Sequence, residues 1–250
     1  MLKDLFSSQS QDYARYRPAY PPALFEYIYT KVKNFDLAWD CGTGNGQSAI
    51  QLSKRFTKVY ATDISEQQLD NAELTNNVAY AKEPAERTTL ADNSVDLVTV
   101  AQALHWFDLP AFYKEVNRVA KIDAVLVAWT YNLLSVNDTV DAHIHDFYFN
   151  ALHGYWHIER NYVDTGYANL PFPYTGMDCP QFYIETSWRL EDLIGYLNTW
   201  SGLKKFISVN KSNPTDKLRE DLRRVWKAEE IKTIKFPLYL KLAKVSSFQP

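Results

Sequence analysis

The chain has 250 residues, with 27 Lys plus Arg against 30 Asp plus Glu and a formal net charge of −3. That length suits one α/β domain with an insertion, and the near balance of charge supplies no field to draw the molecule to nucleic acid or anionic lipid. No apolar run is long enough to span a bilayer and no signal-peptide core opens the sequence. Cys41 and Cys179 alone make no disulfide framework, so a cytoplasmic protein with no nucleic-acid or membrane partner is expected.

In chain order, a short amphipathic lead-in precedes Pro18, Pro21 and Pro22, and the prolines set the first turn of a helix from about residue 23. Apolar runs at 37–40, 58–62, 78–81, 95–101 and 124–129 read as strands. Between them, 46–56, 66–75 (with Ser65 as its cap) and 110–120 read as helices. This alternation predicts a doubly wound, mostly parallel sheet. After Trp129 the rhythm breaks. Residues 132–184 hold several Gly and Pro and most of the histidines, and are predicted to form an inserted, partly helical cap over the strand C-terminal ends. A helix at 190–203 and charged helical sequence to residue 230 follow. In the latter, acids interleaved with the basic residues describe a solvated face. The alternation of 234–245 predicts a last strand, which Pro237 assigns to an edge or a bulge. The expected division is 1–30 as lid and first helix, 31–131 as ligand-binding core, 132–184 as substrate cap and 185–250 as completion of the sheet.

The richest motif is Asp40-Cys41-Gly42-Thr43-Gly44-Asn45-Gly46, set between the first strand and the first core helix. Glycines there permit backbone angles closed to other residues and let a ligand approach the main chain at a helix N-terminus. A dinucleotide site needs G-x-G-x-x-G, but the position two beyond Asn45 is Gln47 and the third glycine comes one residue early. This spacing argues against a nicotinamide oxidoreductase. Asp40 would repel a pyrophosphate and suits a ligand with an ammonium group.

Asp-x-Gly-x-Gly-x-Gly at this place resembles class I S-adenosylmethionine-dependent methyltransferases. The resemblance implies a seven-stranded Rossmann-like methyltransferase fold with an antiparallel edge strand, S-adenosyl-L-methionine as cofactor and S-adenosyl-L-homocysteine as product. It assigns Asp40, Gly42, Thr43, Gly44 and Gly46 to the cofactor loop, and Asp63, followed by Ile64, to the ribose hydroxyls. The adenine edge falls to Glu83-Pro84-Ala85-Glu86, where Pro84 shifts the expected contact to Ala85 and Glu86. Ala101 and Gln102 close the fourth strand against the cofactor. The segments Tyr13-Ala14-Arg15-Tyr16-Arg17-Pro18, Ala101-Gln102-Ala103-Leu104-His105-Trp106-Phe107-Asp108 and Thr186-Ser187-Trp188-Arg189-Leu190 resemble the trans-aconitate methyltransferase-like group of small-molecule enzymes. The match runs over about 5–131 and 185–205 and is poor over 132–184. The Asn-Pro-Pro-aromatic signature of nucleic-acid amino methyltransferases is absent.

Methyl transfer from a sulfonium needs an aimed, desolvated nucleophile. A carboxylate is already ionised at neutral pH, whereas a hydroxyl needs a base. The expected function is O-methylation of a small acidic metabolite. A hydroxyl acceptor with His105 as base, and a cofactor-binding protein without catalysis, stay open. His105 is either that base or, with Trp106, part of the pocket floor. Tyr13, Tyr16 and Trp106 offer aromatic faces to the sulfonium. Arg17 or Arg15 offers a fork to a substrate carboxylate, and residues 7–20 are expected to close as a lid. His143, His145, His153 and His157 have partial metal spacing, but Gly154 interrupts them and no metal is expected. Whether the protein is a monomer or a dimer is left open.

Overall fold

The computed structural model describes Tyr16 and residues 18–248. Among them seven strands form one sheet: β1 (Leu37–Cys41), β2 (Lys58–Asp63), β3 (Val78–Lys82), β4 (Val95–Ala101), β5 (Ala120–Tyr131), β6 (Phe182–Trp188) and β7 (Lys232–Lys244), in the order β3-β2-β1-β4-β5-β7-β6. The pairs from β3 through β5 are parallel, and β7 runs antiparallel to both β5 and β6. The doubly wound, mostly parallel sheet read from the sequence is present, and its antiparallel element is an edge pair. The chain runs outward from β1 to β3 and then returns to β4 on the other side of β1. That reversal opens a crevice at the C-terminal ends of β1 and β4.

Helices α1 (Pro22–Tyr29), α2 (Gln47–Ser53), α3 (Glu66–Leu69) and α4 (Leu109–Val119) accompany the first five strands. Between β5 and β6 lie α5 (Asp138–Asp146), a π-helical turn at Phe147–Ala151 and α6 (Arg160–Asp164). Helices α7 (Leu190–Asn198), α8 (Ser201–Asn210) and α9 (Thr215–Leu222) separate β6 from β7. Successive residues of the central strands serve opposite faces. Leu97, Val125, Val127 and Trp129 pack with α1 and α2 residues such as Leu24, Ile28 and Leu52. Val98, Val100, Leu126 and Ala128 pack with Phe112, Val116 and Val119 of α4. Burial on both faces is why these strands read as continuous apolar runs.

Three expectations need correction. The helix foreseen over 66–75 is the single turn α3, because Asp70 and Asn71 favour local side-chain bonding over helix; the Asn71 amide donates to the Gln67 carbonyl at 2.7 Å. The helix foreseen over 190–203 is two helices, broken where the Thr199 hydroxyl donates to the Tyr196 carbonyl and Trp200 turns extended. Pro237 is neither at the sheet edge nor in a bulge: it pairs in register with Tyr183 of β6. Its carbonyl accepts from Asn132 N at 3.3 Å, so its missing N–H faces the same side, beyond the last β5 partner at Leu238. β6 itself covers β7 and was not foreseen.

At the sheet end opposite the crevice, the buried Asp96 carboxylate of β4 accepts from the backbone N–H groups of Asp36 and Leu37, both at 3.1 Å, and pairs with Lys121 of β5 at 2.9 Å. Three strand starts are tied by one side chain. Asp96→Ala is expected to lower unfolding free energy by about 2–3 kcal/mol, chiefly through the two N–H groups left unpaired. An unchanged urea midpoint would show that this tie is not structural.

Candidate active site

The loop after β1 is built on three left-handed glycines, Gly42, Gly44 and Gly46, with φ of +67°, +58° and +83°. Space explains two of them further. A Cβ on Gly42 would lie 2.7 Å from the Ala103 Cβ, and one on Gly46 would run into the Tyr80 ring. At Gly44 the nearest such atom is Gln68 Oε1 at 4.0 Å, and the residue lines a cavity. A side chain at Gly44 would therefore occupy ligand space rather than collide with protein.

Asp40 departs from its expected role. It is fully buried and does not line the cavity. One carboxylate oxygen accepts from the Thr43 hydroxyl of the loop, and the other accepts from the Thr99 hydroxyl of β4 at 2.7 Å. Burial pushes its pKa up to about 6, against the opposing pull of those hydrogen bonds. The geometry makes Asp40 an anchor beneath the loop, not a wall that meets a ligand's ammonium group.

Asp63 does line the cavity, together with Ile64. Its oxygens accept from Gly44 N at 2.8 Å and Ser65 N at 2.9 Å, and a carboxylate oxygen has capacity for a second donor. Ala85, Glu86, Ala101 and Gln102 complete this side of the wall. The Glu86 carboxylate accepts from Asp108 N at 2.9 Å. Gln102 has a left-handed backbone, φ +54°, and its side-chain oxygen accepts from the Thr130 hydroxyl and Tyr131 N, both at 2.8 Å. It fastens the end of β4 to β5, and its amide group is largely spent there.

His105 and Trp106 sit in the 3₁₀ turn Leu104–Trp106 and face the cavity. His105 Nδ1 lies 2.9 Å from the hydroxyl of Tyr167, itself fully buried with φ +62°. Burial, aided by the charge of Arg160, pushes the His105 pKa down to about 3. An imidazole so hard to protonate is a weak base, which counts in favour of a place in the floor over the base role.

The segment between β5 and β6 contributes more to the wall than was legible. Trp156, His157, Glu159 and Arg160, with Trp200 and Ser201 beyond β6, line the same cavity, and the Trp106 and His157 rings meet at 5.8 Å. None of the six was named beforehand as a pocket residue, although 132–184 was expected to lie over the site. The dense aromatics and the Arg160–Asp164 spacing were the available signal. His143 and His145 lie on α5, and among the described residues no group of three or more His, Cys, Asp or Glu could hold a metal. Tyr13, Arg15 and Arg17 lie outside the described residues, as does most of the expected lid. Tyr20 lines the cavity and meets Trp129 edge-on at 5.3 Å.

Residues 39–128 match the family model described as a methyltransferase domain. A protein of Dictyostelium discoideum named as a methyltransferase is 34% identical over 249 residues, covering 96% of this chain and 95% of that one. The chain belongs to the class I S-adenosylmethionine-dependent methyltransferases. A structure described as a type II methyltransferase from Anaeromyxobacter dehalogenans superposes with a TM-score of 0.86 at 36% identity, covering 92% of this chain and 98% of that one. A methyltransferase structure from Bacillus halodurans, 19% identical with a TM-score of 0.51, shares the fold over 90% of this chain and 99% of its own. The methyltransferase's cavity, about 670 Å³, is large enough for the cofactor and a small acceptor. Among the described residues its wall has no Lys or Arg on the glycine-loop side, which suits a cofactor without phosphate.

The neutral state of His105 has a thermodynamic signature. A folded pKa near 3 against 6.5 unfolded means that the unfolded chain binds more protons between those values, so this residue removes stability as pH falls below 6.5. Asp40 acts oppositely: with its pKa raised from 3.8 to about 6, the folded chain holds the extra proton, and the resulting stability is lost as pH rises through 6. His105→Gln is therefore expected to flatten the acid-side loss by up to about 1.4 kcal/mol per pH unit below 6.5. Parallel pH–stability curves for wild type and variant would contradict the assignment.

Proposed function

We propose that this methyltransferase esterifies the carboxylate of a small-molecule acid, in keeping with the trans-aconitate methyltransferase-like group that its segments resemble. One observation carries the reading. The imidazole at the end of β4, for which a base role and a place in the pocket floor were both open, is buried and held neutral by its surroundings. An acceptor that arrives already ionised needs no proton removed. S-adenosylmethionine supplies, when bound, a methyl group on a positively charged sulfur. Asp63 would take the ribose hydroxyls with the second acceptor capacity of its two oxygens, a charge-assisted contact. Ala85 and Glu86 would border the adenine, and Gly44 would leave room for the amino-acid end. Trp106 and Tyr20, both in the wall, would offer ring faces to the sulfonium. Residues 132–184 act as the substrate cap, a role supported by Trp156, His157 and Arg160 in the wall. Two free cysteines, Cys41 and Cys179, fit a reducing cytoplasm.

A second reading has one observation in its favour. His157 stands in the wall against Trp106, where it could serve a hydroxyl acceptor as base. The product and the pH profile separate the two. With a library of small acids and labelled cofactor, the account expects a methyl ester, released as methanol by alkali, and kcat/KM nearly flat between pH 6 and 8. His105→Asn should keep turnover. An alkali-stable ether, with a rate rising through a pKa near 6–7 that disappears in His157→Asn, would transfer the assignment to hydroxyl methylation. Cofactor binding without turnover on any acceptor would reduce the protein to a binding module.

A further inference from the structure

Among the described residues, Arg160 is the one Lys or Arg in the cavity wall. It opens α6 and is held from behind. Its Nε donates to the Tyr148 hydroxyl at 2.8 Å and to Asp164 Oδ1 at 3.2 Å, and Tyr148 in turn donates to that same carboxylate oxygen at 2.6 Å. The guanidinium also lies over the rings of Tyr148 and Trp156, 5.4 and 5.2 Å from their centroids, and those two rings stack on each other at 4.5 Å. These contacts occupy Nε and the flat face. Neither Nη1 nor Nη2 donates a hydrogen bond to any described residue. The side chain keeps 22% of its surface exposed, and the residue faces the cavity.

A cation set this deep is costly unless its partners compensate. Burial opposes the charge of Arg160, but Tyr148 and Asp164 outweigh it and the group stays protonated. What remains is a fixed planar fork with two open ends, the shape that meets both oxygens of a carboxylate. The acidic wall residues Asp63, Glu83, Glu86 and Asp108 come from the end of β2 and the loops that follow β3 and β4, whereas Arg160 stands with Trp156; Glu159 beside it is the one cap acid in the wall. Pairing here would take place against apolar rings, where a charge-assisted bond is strengthened.

We infer that Arg160 binds a carboxylate of the methyl acceptor, a small acid whose flat apolar body lies against Trp156 and Trp200. The inference rests on reading this cavity as the acceptor site, not on which atom is methylated. A carboxylate held in the fork is a poorer nucleophile than a free one, so the group on Arg160 is an anchor and the methyl goes elsewhere on the acceptor. With carboxylate methylation, the acceptor then carries a second carboxyl group.

The test titrates benzoate, cinnamate and phthalate, with benzamide and cinnamamide as uncharged matches, into protein saturated with S-adenosylhomocysteine. The acids should bind at millimolar or lower concentration and the amides about tenfold more weakly. Arg160→Met should bring the acids down to the amide level, a loss of about 10- to 100-fold, while S-adenosylhomocysteine affinity changes less than about threefold. If Arg160→Met fails to fold, Arg160→Lys, which keeps the charge and loses the fork, should retain S-adenosylhomocysteine binding and weaken the acids at least about threefold. Acids that bind wild type no better than amides, or acid affinity unchanged in the variants, would overturn the proposal. So would a matching loss of S-adenosylhomocysteine affinity, which would assign the fork to the cofactor's own carboxylate. An ether product would end the ester reading and leave the Arg160 result standing.

Discussion

The buried Asp40 carboxylate is the constraint from which the rest of the site follows. Its two oxygens bind hydroxyls from the glycine loop and from β4, so one side chain joins β1, the loop and the strand across the topological break. Removing a carboxylate from water is expensive, and the raised pKa records that cost. The return is a loop whose path is set before any ligand arrives. With Thr43 held, Thr43 N reaches the Thr62 carbonyl at 2.9 Å and Gly44 N reaches Asp63. Asp63 then holds Ser65 N, and Ser65 caps α3. A chain of hydrogen bonds thus runs from the floor of the sheet to the groups that face the cavity.

The cavity divides its charge between two structural sources. Most of the carboxylates stand at or beyond the ends of β2, β3 and β4, and the guanidinium stands, beside Glu159, on the inserted segment between β5 and β6. The floor between them is aromatic and uncharged, with His105 kept neutral by burial. Such an arrangement favours positioning over proton traffic, since the groups that meet the ligands are fixed by partners behind them. Tyr167 shows how much backbone is committed to this. It follows Gly166 with both residues left-handed, and a Cβ on Gly166 would press on the Tyr239 ring at 2.6 Å. Strain of this kind persists where surrounding structure over-determines it.

Much of this was legible in the sequence, because local rules govern it. The glycine spacing announced left-handed angles, and Asp63 was located by its place at a strand end. The parallel core was visible as apolar runs between amphipathic helices. What escaped depended on distant partners. Asp40 looked like a ligand contact because sequence cannot show that Thr43 and Thr99 already occupy it. The two roles open to His105 could not be separated, because nothing near it in the chain reveals its burial beside Tyr167. β6 was hidden although Phe182, Tyr183, Ile184 and Trp188 favour a strand, because it buries only Ile184 and shows no regular apolar alternation, and Pro237 misled because its missing N–H falls where pairing has ended. Arg160 was overlooked because its fork is assembled by Tyr148 and Asp164 from two turns of an irregular segment.

The account turns on whether the loop is a preset cradle with Asp40 beneath it. A crystal structure with S-adenosylhomocysteine tests this most directly. The account predicts ribose hydroxyls on the Asp63 carboxylate while Gly44 N still donates to it, and Asp40 still bonded to Thr43 and Thr99 without touching the ligand. A homocysteine amino group seated on Asp40, with Thr43 displaced, would contradict it.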